Sequence, residues 1–149
     1  AKVALDTLKR LYWKPDIIVC NDWQMSFVPQ LLKENYLQDE FYKDIKTVSL
    51  IHSMNGYRQF SKKSYDMLDL NYDSKEKSMD NYLSSMKFSD KVVLLDNDKD
   101  ELQKQIKTDK KLNSVYKKSS SAKIILPKEA STSDWMKLIN DFDSILNSI

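Results

Sequence analysis

Two groups of residues in this chain could carry chemistry: the run Asn21-Asp22-Trp23, and the chain's single histidine, His52. An unperturbed imidazole changes charge near neutral pH, so His52 is the candidate for proton or contact chemistry. Asp22 offers a carboxylate. Trp23 offers a flat face of the kind that stacks on sugars. Each also has a plain structural reading. Asp22 sits where a helix begins and would serve as N-cap for a helix starting at Met25. Trp23 would serve as core, and a lone histidine as a surface or satisfied structural residue. What joins the groups is position. Asn21-Asp22-Trp23 closes one apolar strand pattern, and His52 follows a second. Neighbouring strands of an open α/β sheet would bring Asp22, Trp23 and His52 to the carboxyl edge, where ligands of such sheets bind.

The elements that must hold these residues follow from periodicity. Ala4, Leu5, Leu8, Leu11 and Tyr12 share one face of a helix over Lys2–Leu11, which Pro15 stops. Ile17–Cys20 is a continuous apolar run, suited to a strand covered on both faces. A second helix is expected over Met25–Glu34, with Pro29 near its start, and a second strand over Lys46–Ile51. His52–Asn71 reads as a loop with a turn at Asn55-Gly56. A third helix follows over Lys75–Lys87, then a strand over Lys91–Leu95. A fourth helix opens with the acids Asp98, Asp100 and Glu101, which favour a helix N-terminus. Lys123–Leu126 reads as a fourth strand. Trp135, Leu138, Ile139, Phe142, Ile145, Leu146 and Ile149 form the stripe of a last helix, with a capping box at Ser131–Asp134, and are expected to bury most of their surface. Strands alternating with helices predict an α/β fold: a three-layer, Rossmann-like single domain over residues 1–149 with a mainly parallel sheet.

Composition removes several functions. A net charge of +2, from 24 basic against 22 acidic residues, argues for no nucleic acid and no membrane as main partner. No apolar run nears the roughly 20 residues of a membrane span. The single cysteine, Cys20, forms no intrachain disulfide, which points to a reducing, cytoplasmic setting. It lies inside an apolar strand and reads as an inert thiol. The chain has one glycine, Gly56, where an average composition near 7% would give about ten. It therefore has no P-loop and no dinucleotide fingerprint, and no cofactor is expected. No metal-ligand spacing is visible. The lysines between Lys104 and Lys118 read as a solvated helix face. The chain opens directly on a helical pattern, with neither an initiator methionine nor a leading strand, which suggests part of a longer protein.

The run from Trp13 to Gln24, Trp-Lys-Pro-Asp-Ile-Ile-Val-Cys-Asn-Asp-Trp-Gln, resembles a block of bacterial glycogen synthases and plant starch synthases. That block reads Trp-Lys-Pro-Asp-Ile-Ile-His-Cys-Asn-Asp-Trp-Gln. Val28–Lys33 and Ile45–Val48 continue the resemblance. Ile51-His52 is similar to the family's Ile-His, and Ser89–Val92 to its Ala-Asp-Lys-Val strand entry. The resemblance implies the second part of the N-terminal, acceptor-side domain of a GT-B type enzyme. Such enzymes transfer glucose from ADP-glucose to α-1,4-glucan with retention of configuration. It implies that His52 lies against the transferred glucose and that Asn21, Asp22 and Trp23 are on the substrate side. Val19 replaces the family's first histidine. Ser53–Gln59 replaces its Asn-Leu-Ala-Tyr-Gln-Gly loop, and its Lys-x-Gly-Gly loop is missing. These departures imply a shortened relative, inactive by itself. The alternative is a non-catalytic module that binds glucan or a partner protein.

Overall fold

A computed structural model describes residues 1–128 and 131–149. Helix α1 (Lys2–Arg10) leads into strand β1 (Ile17–Asn21). A 3-10 turn, Trp23–Met25, precedes α2 (Val28–Leu31), which continues as a π-helical turn over Leu32–Tyr36. Strand β2 (Lys46–Ile51) follows. Next come a short strand β3 (Gln59–Ser61), α3 (Lys62–Leu68), β4 (Ser78–Asp80) and α4 (Asn81–Phe88). Strand β5 (Lys91–Asp96), α5 (Glu101–Thr108), α6 (Lys110–Lys118), β6 (Ser121–Ile125) and α7 (Thr132–Leu146) complete the order.

The main sheet has the order β1-β2-β5-β6, and every pairing in it is parallel. The expected α/β fold with a mainly parallel sheet is therefore observed. One face carries Ile18, Cys20, Ile51, Val92 and Leu94 and is covered by α1, α2, α4, α5 and α6. Val48, Val93 and Ile124 point the other way and meet α7. Leu31, Leu32, Ile106 and Leu112 are fully buried, and each large apolar side chain removed from water contributes about 1.5–3 kcal/mol.

Several expected elements are corrected. The helix placed at Met25–Glu34 is three short segments. Ser26 turns its N–H and hydroxyl back onto the Trp23 carbonyl, which closes a 3-10 turn before α2 starts. Pro29 lies at the start of α2, where its missing N–H costs nothing. The stretch read as a loop over His52–Asn71 contains β3 and α3. Phe60 and Tyr65 there pack edge-on against Phe27, at 4.6 and 5.2 Å between centroids. The helix expected from Lys75 starts at Asn81. Asp80 accepts the Tyr82 N–H at 3.1 Å and caps it, while Ser78–Asp80 pairs antiparallel with β3.

The fourth helix starts at Glu101, capped from a distance by Asp96. The buried Asp96 carboxylate accepts the N–H groups of Leu102 and Gln103 at 2.9 and 2.8 Å. The last strand begins two positions early, at Ser121. On α7, Leu138, Phe142, Ile145 and Leu146 pack against the sheet, joined by Ile149 just past the helix end. Trp135 and Ile139 stay 50% and 54% exposed, contrary to the expected burial of the whole stripe. The cause is that α7 is the one helix packed on that face among the described residues, so the flank of its stripe has no neighbour.

Candidate functional site

The parallel pairing of β1 with β2 sets Asn21 opposite Leu50. Both chains leave the sheet at one edge, and the Asp22 N–H still reaches the Leu50 carbonyl at 2.7 Å. Asp22 has φ 51° and ψ −155°, a region that non-glycine residues rarely occupy. Such a conformation persists where surrounding contacts over-determine it, and it turns up at functional sites. Here it swings the carboxylate under the edge. The side chain makes no cap bond to the turn at Trp23–Met25, so the N-cap reading of Asp22 is overturned.

The Asp22 carboxylate is buried at 3% exposure and accepts two hydroxyl protons. Ser53 donates to Oδ2 at 2.6 Å, and Tyr82 of α4 donates to Oδ1. His52 Nδ1 lies 3.6 Å from Oδ2, with the imidazole 41% exposed. Asp22 and His52 thus meet at the carboxyl edge: one is held down by two donors, the other is open to solvent. Burial and the neighbouring Asp22 raise the Tyr82 phenol well above its ordinary value, so Tyr82 remains a donor. Asn21 is exposed at the end of β1. Trp23 is half-buried against the core beneath α4 and α5, and its outer side meets Tyr57 at 5.3 Å between ring centroids.

Residues that spacing did not single out complete the site. Asn55 donates to Ser53 Oγ at 2.8 Å and accepts the Tyr57 N–H at 2.9 Å. Arg58 Nε lies 3.2 Å from Asp80 Oδ2, with both side chains largely buried. Burial raises the Asp80 carboxyl above its ordinary value, and Arg58 acts against that rise. Tyr82 falls within the helix expected over Lys75–Lys87, and nothing in the spacing shows where its hydroxyl goes. Asn55-Gly56 does mark a turn, but Gly56 has no positive φ and an added Cβ would meet nothing within 4 Å. Asn55 therefore builds the turn.

Other candidate groups do not join this site. Cys20 is 1% exposed, and burial pushes its thiol up to about 12. Asp96, the second carboxylate at the sheet edge, is spent on capping α5. Lys111 pairs with Glu76 at 2.5 Å, in keeping with a solvated lysine face. No group of three or more His, Cys, Asp or Glu among the described residues is arranged to hold a metal ion. Among the described residues no helix is long and apolar enough to cross a membrane. A groove of about 960 Å³ lies between α3, α4 and α6, and its lining includes none of Asp22, Trp23 and His52.

A parallel α/β sheet flanked by helices, with a buried carboxylate, an open imidazole and an indole at its carboxyl edge, defines a Rossmann-like α/β domain. Residues 1–115 match the family model described as the starch synthase catalytic domain, and the chain belongs to that family. It is 60% identical over 55 residues to a glycogen synthase of Chlorobium phaeobacteroides, which covers 37% of this chain and 11% of that protein. It is 50% identical over 60 residues to a glycogen synthase of Clostridium perfringens, covering 40% of this chain and 12% of that protein. The chain therefore spans about a tenth of the length of these relatives. The fold is similar to the catalytic domain of Starch Synthase IV from Arabidopsis thaliana bound to ADP and acarbose. The TM-score is 0.63 at 21% identity, over 83% of this chain and 27% of that one.

Proposed function

We propose that this chain is the second part of the N-terminal, acceptor-side domain of a glycogen or starch synthase-type glycosyltransferase, working in the cytoplasm. In this reading the full protein transfers glucose from ADP-glucose to α-1,4-glucan. His52 faces the transferred sugar, and Asn21, Asp22 and Trp23 line the substrate side. The observation that carries the reading is the meeting of Asp22 and His52, 3.6 Å apart at the carboxyl edge of a parallel sheet. Asp22 orients the imidazole from below, and Ser53 and Tyr82 hold Asp22. The half-covered sheet face under α7 and the β-branched residues Ile17, Ile18 and Val19 along the outermost strand support a place inside a larger domain.

The chain by itself is inactive in elongation. Transfer requires the donor's leaving phosphate to be held and its charge stabilised, a task for glycine-rich turns, helix N-termini or cations. The one glycine here lies in the Ser53–Gln59 loop. His52 alone does not position a nucleotide sugar closely enough for reaction. The assay is radiolabelled ADP-glucose with a maltooligosaccharide primer, paired with calorimetric titration of both ligands. The expected result is glucan binding without elongation. Elongation that disappears in His52→Ala would refute the inactivity and make the chain an enzyme by itself. A second reading, a non-catalytic glucan-binding or protein-interaction module, is favoured by the rebuilt Ser53–Gln59 loop. It is supported if joining a donor domain with a glycine-rich nucleotide loop restores no transfer.

A further inference from the structure

The loop in which this chain departs from the family pattern is firmly built, and it ends in an aromatic ring turned outward. From Ser53 to Asn55 it is tied to the site, because Ser53 donates to Asp22 and Asn55 donates to Ser53. Asn55 also accepts the Tyr57 N–H and caps the short 3-10 turn Gly56–Arg58. On its far side the loop is tied to the start of α4. Arg58 pairs with Asp80, the residue that caps that helix. Arg58 Nη1 also rests on Met54 Sδ at 3.4 Å, and Met54 packs with Trp23 against the core. Tyr57 is suspended between these two anchors. Its ring tilts by 31° over Trp23 at 5.3 Å, and the residue is 70% exposed.

We infer that Tyr57, backed by Trp23, is a stacking platform for a neutral pyranose ring at the sheet edge that carries His52. The inference rests on the glucan reading above and adds a binding residue to it. An aromatic ring supported on one face and bare on the other presents its electron-rich side to a ligand, and the C–H face of a sugar is such a ligand. Binding sites commonly combine aromatic walls with a few fixed polar groups, here the open imidazole of His52 and the exposed Asn21. The loop's one basic residue, Arg58, is taken up by Asp80, and Asp22 is buried and satisfied by hydroxyl donors. The platform therefore offers no free charge, which selects an uncharged sugar over a phosphate. The structural alternative is that Tyr57 merely shields Trp23.

The test is a titration of the 149-residue chain with maltoheptaose, followed by Trp fluorescence and by calorimetry, for the wild type, Tyr57→Phe, Tyr57→Ala and His52→Ala. Stacking of this kind accounts for about a three- to tenfold effect on affinity. Tyr57→Phe keeps the ring and binds like the wild type; Tyr57→Ala binds about three- to tenfold more weakly. Its urea midpoint stays near that of the wild type, since the side chain is mostly exposed. Equal binding by wild type and Tyr57→Ala overturns the platform and leaves the glucan reading in place. No binding by the wild type removes the glucan reading, and the platform with it. Weaker binding in His52→Ala alone, with Tyr57→Ala unaffected, places the sugar on the imidazole and overturns the platform.

Discussion

Removing one oxygen atom, in Tyr82→Phe, tests the arrangement under the sheet edge. Tyr82 is fully buried, and the substitution keeps its ring and packing. What it removes is the hydroxyl that donates to Asp22 Oδ1. Hydrogen bonds to charged groups contribute about 1.5–3 kcal/mol, and a buried carboxylate left short of a donor pays the loss in full. Ser53 remains as the second donor, at 2.6 Å to the other oxygen, and it offers nothing to Oδ1. The expected cost is therefore about 1.5–3 kcal/mol, a large share of a typical domain stability of 5–15 kcal/mol. With a urea slope of about 2 kcal/mol/M, the unfolding midpoint falls by about 1 M at unchanged slope. In an Asp22→Asn background the acceptor is neutral, and the same substitution costs about 0.5–1.5 kcal/mol. The double-mutant cycle thus returns a coupling of about 1 kcal/mol or more. A Tyr82→Phe cost below about 0.5 kcal/mol, or no coupling to Asp22, would refute the claim that Tyr82 holds the carboxylate.

Three further outcomes follow from the structure. The Cys20 thiol, buried and pushed up to about 12, stays unreactive towards Ellman's reagent at pH 8 in the native protein and reacts in denaturant; rapid native labelling would contradict its burial. At α7, the Ser131 hydroxyl and N–H hold the Asp134 carboxyl below its ordinary 3.8. A carboxylate depressed in the folded state stabilises above its unfolded value and loses that contribution as pH falls through the lower folded value. The stability gap between wild type and Asp134→Asn should therefore hold from pH 7 to about pH 4 and shrink below it. A gap unchanged at pH 2 would show that the capping box contributes no charge-dependent stability. Ser131→Ala is expected to cost about 1 kcal/mol in thermal unfolding.

Elements with a long, unmixed pattern were legible in the residues. Ile17–Cys20 and the Val92–Leu95 part of Lys91–Leu95 are apolar runs, and Lys46–Ile51 carries Val48, Leu50 and Ile51; all lie between helical stripes, as a parallel sheet buried on both faces demands. The same alternation places Asp22 and His52 past the ends of neighbouring strands. The segment from His52 to Asp80 was not legible, because Phe60, Tyr65 and Met79 bury through contacts with Phe27 and with one another, which no local period encodes. In α7 the stripe told which residues are apolar; how many are covered depends on what else lies on that face.

The sequence by itself determined the fold class, the four strands of the main sheet, and the two positions, Asp22 and His52, that fall at its carboxyl edge. Tertiary structure decided what those positions face. Asp22 is no cap, because an unusual backbone turn sends its carboxylate towards Ser53 and Tyr82, residues 31 and 60 positions away in the chain. Tyr57 lies over Trp23 because Arg58 ties its loop to Asp80, at the end of the strand that pairs with β3. Hydrogen bonds and ring contacts act over a few ångströms of space without regard to separation along the chain, so they are set when the chain has closed and not before.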